Sequence, residues 1–442
     1  MARVEHNRRE FLKTTGTGAA AAGMTAYFFT SSSRAQESKN GRLVAGAIGV
    51  GGMGRGDAGS IARFADIAAV CDVDRRHAEH AAAHERIGKG KADVYEDYRE
   101  LLARDDIDLV TISTPDHWHT KICIDAMRAG KHIYCQKPLT LTIEEGKQIR
   151  KVLDETGVIF QVGTQQRSTD RFAEAVALCR EGRLGKIQRI TCSIGGAPSG
   201  GPFQKHSPPE HLNWERWLGQ TPLVEYIRQR CHGEFRWWYE YSGGKMTDWG
   251  AHHVDIAHWA ADLTDTGPVS VEGRSWEHPV PFSHGYPTVD DAYNTATEFE
   301  VRCVFANGVE IIIRHDGRNG CFIEGESGRI FVSRGPLEGK PVEELEHNPL
   351  PEGAVEKLFA GPQRHGDHYR NFIECVKSGT KPVSDVYSHH RAVTTCHLAN
   401  IAIRLGRKIE WDPEAERIVG DDEAAAFERR EQREGYEIDV EV

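Results

Sequence analysis

A glycine-spaced turn set between two apolar runs constrains this chain more than any other feature. The run LVAGAIGV from Leu43 is continuously apolar, which predicts a strand buried on both faces. It leads into Gly49, Gly51 and Gly54, spaced G-x-G-x-x-G, and then into a helical stretch ending near Phe64. A second strand-like run, DIAAVCDVD, follows and carries Asp72, 23 positions after Gly49. Strand, glycine turn, helix, strand and acid in this order form a dinucleotide-binding βαβ unit. Glycines at these positions let the main chain approach a pyrophosphate, and a helix N-terminus offers it free N–H groups. Gly49, Gly51, Gly52, Met53 and Gly54 are thus the expected phosphate loop. Asp72, with Val73 beside it, is the expected ribose contact. A carboxylate there favours NAD over NADP, although Arg75 and Arg76 keep NADP open as an alternative.

The alternation of strands and helices continues to about residue 163, so a doubly wound parallel sheet is expected over residues 42–163. Thr114 and Pro115 fall just past a predicted strand end, where such sheets bind ligands.

The first residues carry an address. Arg8 and Arg9 are followed by Phe11, Leu12 and Lys13, then by a short apolar stretch diluted with Gly and Thr, then by Ser33 and Ala35. Residues 1–35 resemble a twin-arginine (Tat) export signal, which predicts transport by the Tat machinery and a periplasmic location. A membrane anchor is the alternative, and the shortness of the stretch argues against stable insertion. The net charge of −11 and the absence of a basic stripe argue against nucleic acid as a partner. Ten cysteines without a C-x-x-C pair predict mostly free, buried thiols.

Four blocks resemble the Gfo/Idh/MocA oxidoreductases: GVGGMG at 49–54, STPDHWH at 113–119, CQKPLT at 135–140 and MTDWGAHHVD at 246–255. The resemblance runs from about residue 42 to about 410. It implies a C-terminal α/β domain over residues 164–410 with a large open, mainly antiparallel sheet, and a homo-oligomer, dimer or tetramer. The run TATEFEVRCVFANGVEIIIRHDG reads as two of its strands turning at Asn307-Gly308. Residues 411–442 are expected as a surface arm. The resemblance places Thr114, Pro115, His117 and His119 near the nicotinamide. It makes Lys137 catalytic, with Gln136 standing where the family usually has Glu.

Asp248, His252 and Asp255 stand at i, i+4 and i+7, which on a helix is one face. A carboxylate beside an imidazole orients it for proton abstraction from a hydroxyl. Lys137 can then stabilise the developing alkoxide. A metal site at this Asp-His spacing is the competing reading, and it is set aside because the resemblance makes these residues acid–base groups. His253 is expected as a supporting group. Trp237, Trp238, Tyr239, Tyr241 and Trp249 precede or border this segment, and aromatic faces suit pyranose rings, although each single Trp is as readily a core residue. Tyr239 is a second acid–base candidate. Gln165, Gln166 and Arg167, at the domain junction, are candidate substrate contacts, whereas Trp214 and Trp217 read as packing residues.

The expected function is NAD(P)-dependent oxidation of a hydroxyl on a sugar, polyol or sugar derivative, with tightly held cofactor. A redox-neutral glycosidase or lyase that oxidises, eliminates, adds water and reduces is the alternative. A catalytically inactive sugar-binding protein is the third reading.

Overall fold

A computed structural model of the chain describes residues 41–359 and 366–442. The segment read as an export signal lies outside the described residues.

The first sheet has six strands: β1 (Leu43–Ile48), β2 (Ala65–Cys71), β3 (Asp93–Tyr95), β4 (Leu109–Ile112), β5 (His132–Cys135) and β6 (Phe160–Val162). They pair in parallel in the order β3-β2-β1-β4-β5-β6. The order reverses between β1 and β4, the switch point at which such sheets bind ligands. Helices α1 (Gly52–Ile61), α2 (Arg75–Ala83), α3 (Tyr98–Leu102), α4 (Asp116–Arg128) and α5 (Ile143–Thr156) make the connections. Their ends follow local chemistry. Asp74 caps α2 by accepting from the Arg76 N–H, and α5 stops at Gly157, whose φ of 63° suits glycine.

The second sheet mixes strand directions. Its strands are β7 (Ile187–Ser193), β8 (Ser270–Glu277), β11 (Glu298–Val304), β12 (Glu310–Arg314), β13 (Gly320–Gly325), β14 (Arg329–Val332), β15 (Leu337–Glu338), β16 (Ile409–Asp412) and β17 (Arg417–Ile418), while β9 (Phe282–Ser283) and β10 (Tyr286–Pro287) form a separate small hairpin. The order is β15-β14-β13-β7-β12-β11-β8-β16-β17, and within it only the β7–β12 pair is parallel. The turn predicted at Asn307-Gly308 joins β11 to β12, with Gly308 at φ 87°. Burial alternates along β12, Ile311 and Ile313 facing inward. The inner face packs on α6 (Asp170–Arg180), on α9 (Gly250–Ala260), which follows α7 (Trp214–Leu218) and α8 (Lys245–Asp248), and on α12 (Val386–Leu405), which follows α10 (Lys340–Glu343) and α11 (His368–Ser378). Helix α11 instead buries Phe372 and Ile373 in the core of the parallel sheet.

The C-terminal segment is not a surface arm. Trp411 and Ile418 are buried in the second core, as is Ala424 of the short helix α13 (Asp422–Ala425). Beyond it the chain straps across the first domain. Arg430 reaches the buried Glu145 at 2.8 Å and the His117 carbonyl at 2.9 Å, and Ile438 joins the core that contains Trp118. Sparse apolar residues among many charges hid this docking. Glu145, 2% exposed, needs the cation that the tail brings.

All ten cysteines are free and buried. Among the described residues no helix is long and apolar enough to cross a membrane.

Candidate active site

A cleft of about 1020 Å³ opens at the switch point and is walled by both domains. That size is at the upper end for small-molecule sites. Gly49, Gly51, Gly52, Met53, Asp72, Val73, Thr114 and Pro115 line it.

The glycine turn is shaped by close approach. Gly49 has φ 76°, and a Cβ there would lie 2.7 Å from the Thr114 nitrogen. A Cβ on Gly54 would meet the Gly49 carbonyl oxygen at 1.7 Å. Gly54 therefore serves helix–strand packing and does not itself line the cleft. A Cβ on Gly52 would meet open space, and Gly51 gives α1 no side-chain cap, so the first N–H groups are left for a ligand. Asp72 is held by N–H donors: its Oδ2 accepts from Val50 at 2.9 Å and its Oδ1 from Asp74 at 2.9 Å. An uncapped helix start, an open glycine face and a fixed carboxylate fit a dinucleotide. Arg75 and Arg76 are exposed, lie near Glu79 and Asp74 respectively, and do not line the cleft.

Lys137 follows β5. Its Nζ donates to Asp248 Oδ1 at 2.5 Å and to the Asp248 carbonyl at 2.9 Å. Arg236 Nε lies 3.4 Å from the same carboxylate oxygen. Burial pushes the Asp248 carboxyl up, but the Lys137 and Arg236 cations outweigh it and hold the carboxyl below its ordinary value. His252 lines the cleft, 6% exposed; its Nδ1 is buried and has no hydrogen-bond partner. Burial, helped by the Lys137 and Arg334 charges, holds this imidazole well below its ordinary pKa, so it is neutral at neutral pH. The cleft thus brings the Lys137 amine group and a neutral imidazole to one wall.

Trp249, Gln165 and Gln166 also line the cleft. The Gln166 amide is assigned so that its nitrogen donates to the His252 carbonyl at 3.1 Å and its oxygen accepts from Arg334 Nε at 3.3 Å. Gln136 donates from Nε2 to both oxygens of the buried Asp57, at 3.1 and 3.0 Å, where Ser113 and Tyr369 also donate. A glutamate at 136 would set two carboxylates against each other there, which accounts for the amide.

Several expectations are corrected. Asp248 pairs with Lys137, not with His252, and Asp255 makes a buried bidentate pair with Arg167 at 2.7 and 2.8 Å. The carboxylates take full cations from distant segments in preference to a neutral imidazole nearby. Arg167 is 4% exposed and does not reach the cleft. Tyr239 does not line it either. Its hydroxyl sits 3.2 Å from His278 Nε2, Arg404 lies over its ring, and burial pushes its pKa up to about 12. His253 turns to Asn319 at 3.1 Å. His117 bonds the Trp217 carbonyl at 2.8 Å and His119 the carbonyls of Pro138 and Thr114, so both brace the cleft wall from behind. Of the aromatic stretch, Trp237 lines the cleft while Trp238 and Tyr241 are core. Trp217 stacks on Trp214 and also shows a face to the cleft.

Three residues of the site carry no expectation from the sequence. Arg334, just past β14, lies 4.6 Å over the Trp249 ring and has no local signal. Arg236 sits inside the aromatic stretch. Asp116, buried at the start of α4, accepts from Ser242 at 2.5 Å, and burial raises its carboxyl to about 7. Its signal was present in the STPDHWH block.

The fold and cleft define a two-domain protein with a dinucleotide-binding sheet and a second ligand wall. The description "oxidoreductase family, NAD-binding Rossmann fold" matches residues 43–164, and "oxidoreductase family, C-terminal alpha/beta domain" matches residues 201–438. The chain belongs to this family, the Gfo/Idh/MocA oxidoreductases. It is 30% identical over 330 residues to scyllo-inositol 2-dehydrogenase (NAD(+)) of Bacillus subtilis, covering 72% of this chain and 81% of that one. It is 36% identical over 176 residues to a glycosyl hydrolase family 109 protein of Shewanella putrefaciens, covering 34% of this chain and 38% of that relative's length. Its fold is similar to that of the WlbA dehydrogenase from Bordetella pertussis, solved with NADH and UDP-GlcNAcA. The TM-score is 0.60 at 20% identity, over 84% of this chain and 99% of that one.

Proposed function

We propose that the protein is an NAD-dependent oxidoreductase acting on a CH–OH group of a sugar, polyol or sugar derivative. The observation that carries this is the pairing, in one cleft, of the glycine turn and Asp72 with the Lys137 ammonium and the unpartnered His252 imidazole. NAD, when bound, supplies hydride acceptance from a carbinol carbon. Gly49 to Met53 and the start of α1 would hold its pyrophosphate, and Asp72 its ribose. Lys137 would donate a hydrogen bond to the substrate oxygen and stabilise its developing negative charge. His252, neutral beforehand, would take the hydroxyl proton at Nε2, the ring nitrogen that is not buried. Trp249 and Trp237 offer flat faces for a ring, and Arg334 fixes Trp249. The similarity to the Bacillus inositol dehydrogenase supports the substrate class.

Export by the Tat pathway, a periplasmic site of action, homo-oligomerisation and a cofactor held through turnover complete the proposal. Arg8 and Arg9 motivate the export, and a compartment without a nicotinamide pool motivates the tight binding. Asp72 and the turning away of Arg75 and Arg76 favour NAD over NADP.

The 36% identity to a glycosyl hydrolase family 109 protein favours one second reading, redox-neutral cleavage of a glycoside. That chemistry needs a further base for the C–H made acidic by oxidation, and Tyr239 is not placed to supply it. The test is to mix the protein with inositols, pyranoses and nitrophenyl glycosides. Reduced-nicotinamide fluorescence with a free polyol supports the first reading. Nitrophenol release without net reduction supports the second, and neither signal refutes both.

A further inference from the structure

Beside the cleft, three histidines converge on one oxygen of Asp74. Asp74 is 1% exposed, and its Oδ1 is committed to capping α2. Its Oδ2 is buried and has no hydrogen-bond partner. His232 Nε2 lies 3.5 Å from Oδ2, His211 Nε2 3.6 Å and His77 Nε2 4.0 Å. Donor atoms of Asp74, His77 and His232 all lie within 4.8 Å of one another. Ligand atoms on a tetrahedral zinc at ~2.0–2.1 Å stand roughly 3.3 Å apart, so small side-chain rotations close this shell. The arrangement extends outward as metal sites do: His77 Nδ1 is 3.5 Å from Asp72 Oδ2, a carboxylate placed to orient the ring. His232 has φ 53°, a left-handed conformation uncommon outside glycine, and such strain clusters at ligand sites.

We propose that Asp74, His77 and His232, with His211 as the fourth donor, bind one divalent d-block cation of the zinc class. Imidazole-rich sets with one carboxylate suit Zn²⁺ over Mg²⁺ or Ca²⁺, which take oxygen shells. One anionic and three neutral donors leave a single positive charge on the site, and Asp72 balances it. The backbone already sets these donors in register. Asp74 bridges to Leu212, the Arg75 N–H donates to the His211 carbonyl, and the Asn213 N–H donates to the Val73 carbonyl. The cation would therefore staple the start of α2 to the segment 211–232 of the second domain. His77 and His232 also line the cleft, so the staple borders the ribose carboxylate. The site is separate from Lys137 and His252, and its test needs no turnover.

The experiment uses the full chain without a histidine tag, freed of metal by chelator, and titrates it with Co²⁺ in the absence of nucleotide. The expected result is one Co²⁺ per chain with the intense visible absorption of tetrahedral coordination, displaced by Zn²⁺. Asp74→Asn keeps the volume and the helix cap, and His232→Ala changes a half-exposed side chain; each should weaken Co²⁺ binding at least about tenfold. Zn²⁺ should raise the melting temperature of the parent protein and not that of either variant. Absence of the tetrahedral spectrum, or binding equally tight in both variants while they retain the parent's circular dichroism, would overturn the proposal.

Discussion

Lys137 Nζ stands 2.5 Å from Asp248 Oδ1, a contact that ties the end of β5 to α8 across the domain boundary. The carboxylate aims the Lys137 side chain, and a second bond to the Asp248 carbonyl fixes it further. In the proposed reaction this side chain meets the substrate oxygen while His252 takes the proton. Lys137→Ala and His252→Ala should each lower kcat by about 10²–10⁴. NAD affinity, measured by calorimetry, should change little for His252→Ala. Turnover within a few-fold of the parent in both variants would remove these residues from the chemistry.

Asp116 supplies a pH signature. Burial raises its carboxyl to about 7, and the Ser242 hydrogen bond acts the other way. The group is protonated below that pH and charged above it, beside Lys137 and Asp248. The pH profile of kcat should carry an inflection near 7. Asp116→Asn should abolish it, and Ser242→Ala, by removing a bond that favours the carboxylate, should move it upward.

The Arg167–Asp255 pair predicts a stability effect where the sequence suggested a substrate contact. Arg167→Ala leaves an uncompensated buried carboxylate and should cost about 3–5 kcal/mol by urea unfolding. Burial pushes the Asp255 carboxyl up, but Arg167 outweighs it and holds the group at about 2, against an ordinary 3.8. Its folded value is depressed, so its contribution is complete above about pH 4 and is lost as pH falls toward 2. That contribution is about 2 kcal/mol and should be missing from the acid limb of the Arg167→Ala stability curve. An unchanged urea midpoint with a raised KM would restore the substrate role.

The C-terminal strap should be structural. Arg430→Ala strands Glu145 in the first domain and should cost about 3 kcal/mol, read as a lowered urea midpoint. A surface arm would tolerate the change within ~0.5 kcal/mol.

The legible part of the site was the part written in local order. Gly49 to Asp72 lies within one βαβ unit, so spacing alone fixed its geometry, and the block STPDHWH marked the strand end where Asp116 sits. Partner choice was not legible. Asp248 and Asp255 stand at helical spacing from His252, yet each is claimed by a cation more than 80 residues away, Lys137 and Arg167. Arg334 reaches Trp249 from a strand end 85 positions downstream. Such contacts arise from tertiary packing, which no local period encodes. Tyr239 shows the converse: an aromatic run names a neighbourhood, but two positions along the chain separate Trp237 in the cleft from Tyr239 on Arg404.

The most direct measurement is to purify the protein from its native host, denature it, and identify the released nucleotide by mass spectrometry. The proposed function predicts NAD at close to one per chain. A protein that releases no nucleotide and does not bind added NAD, with Asp72 and the glycine turn intact, would contradict it.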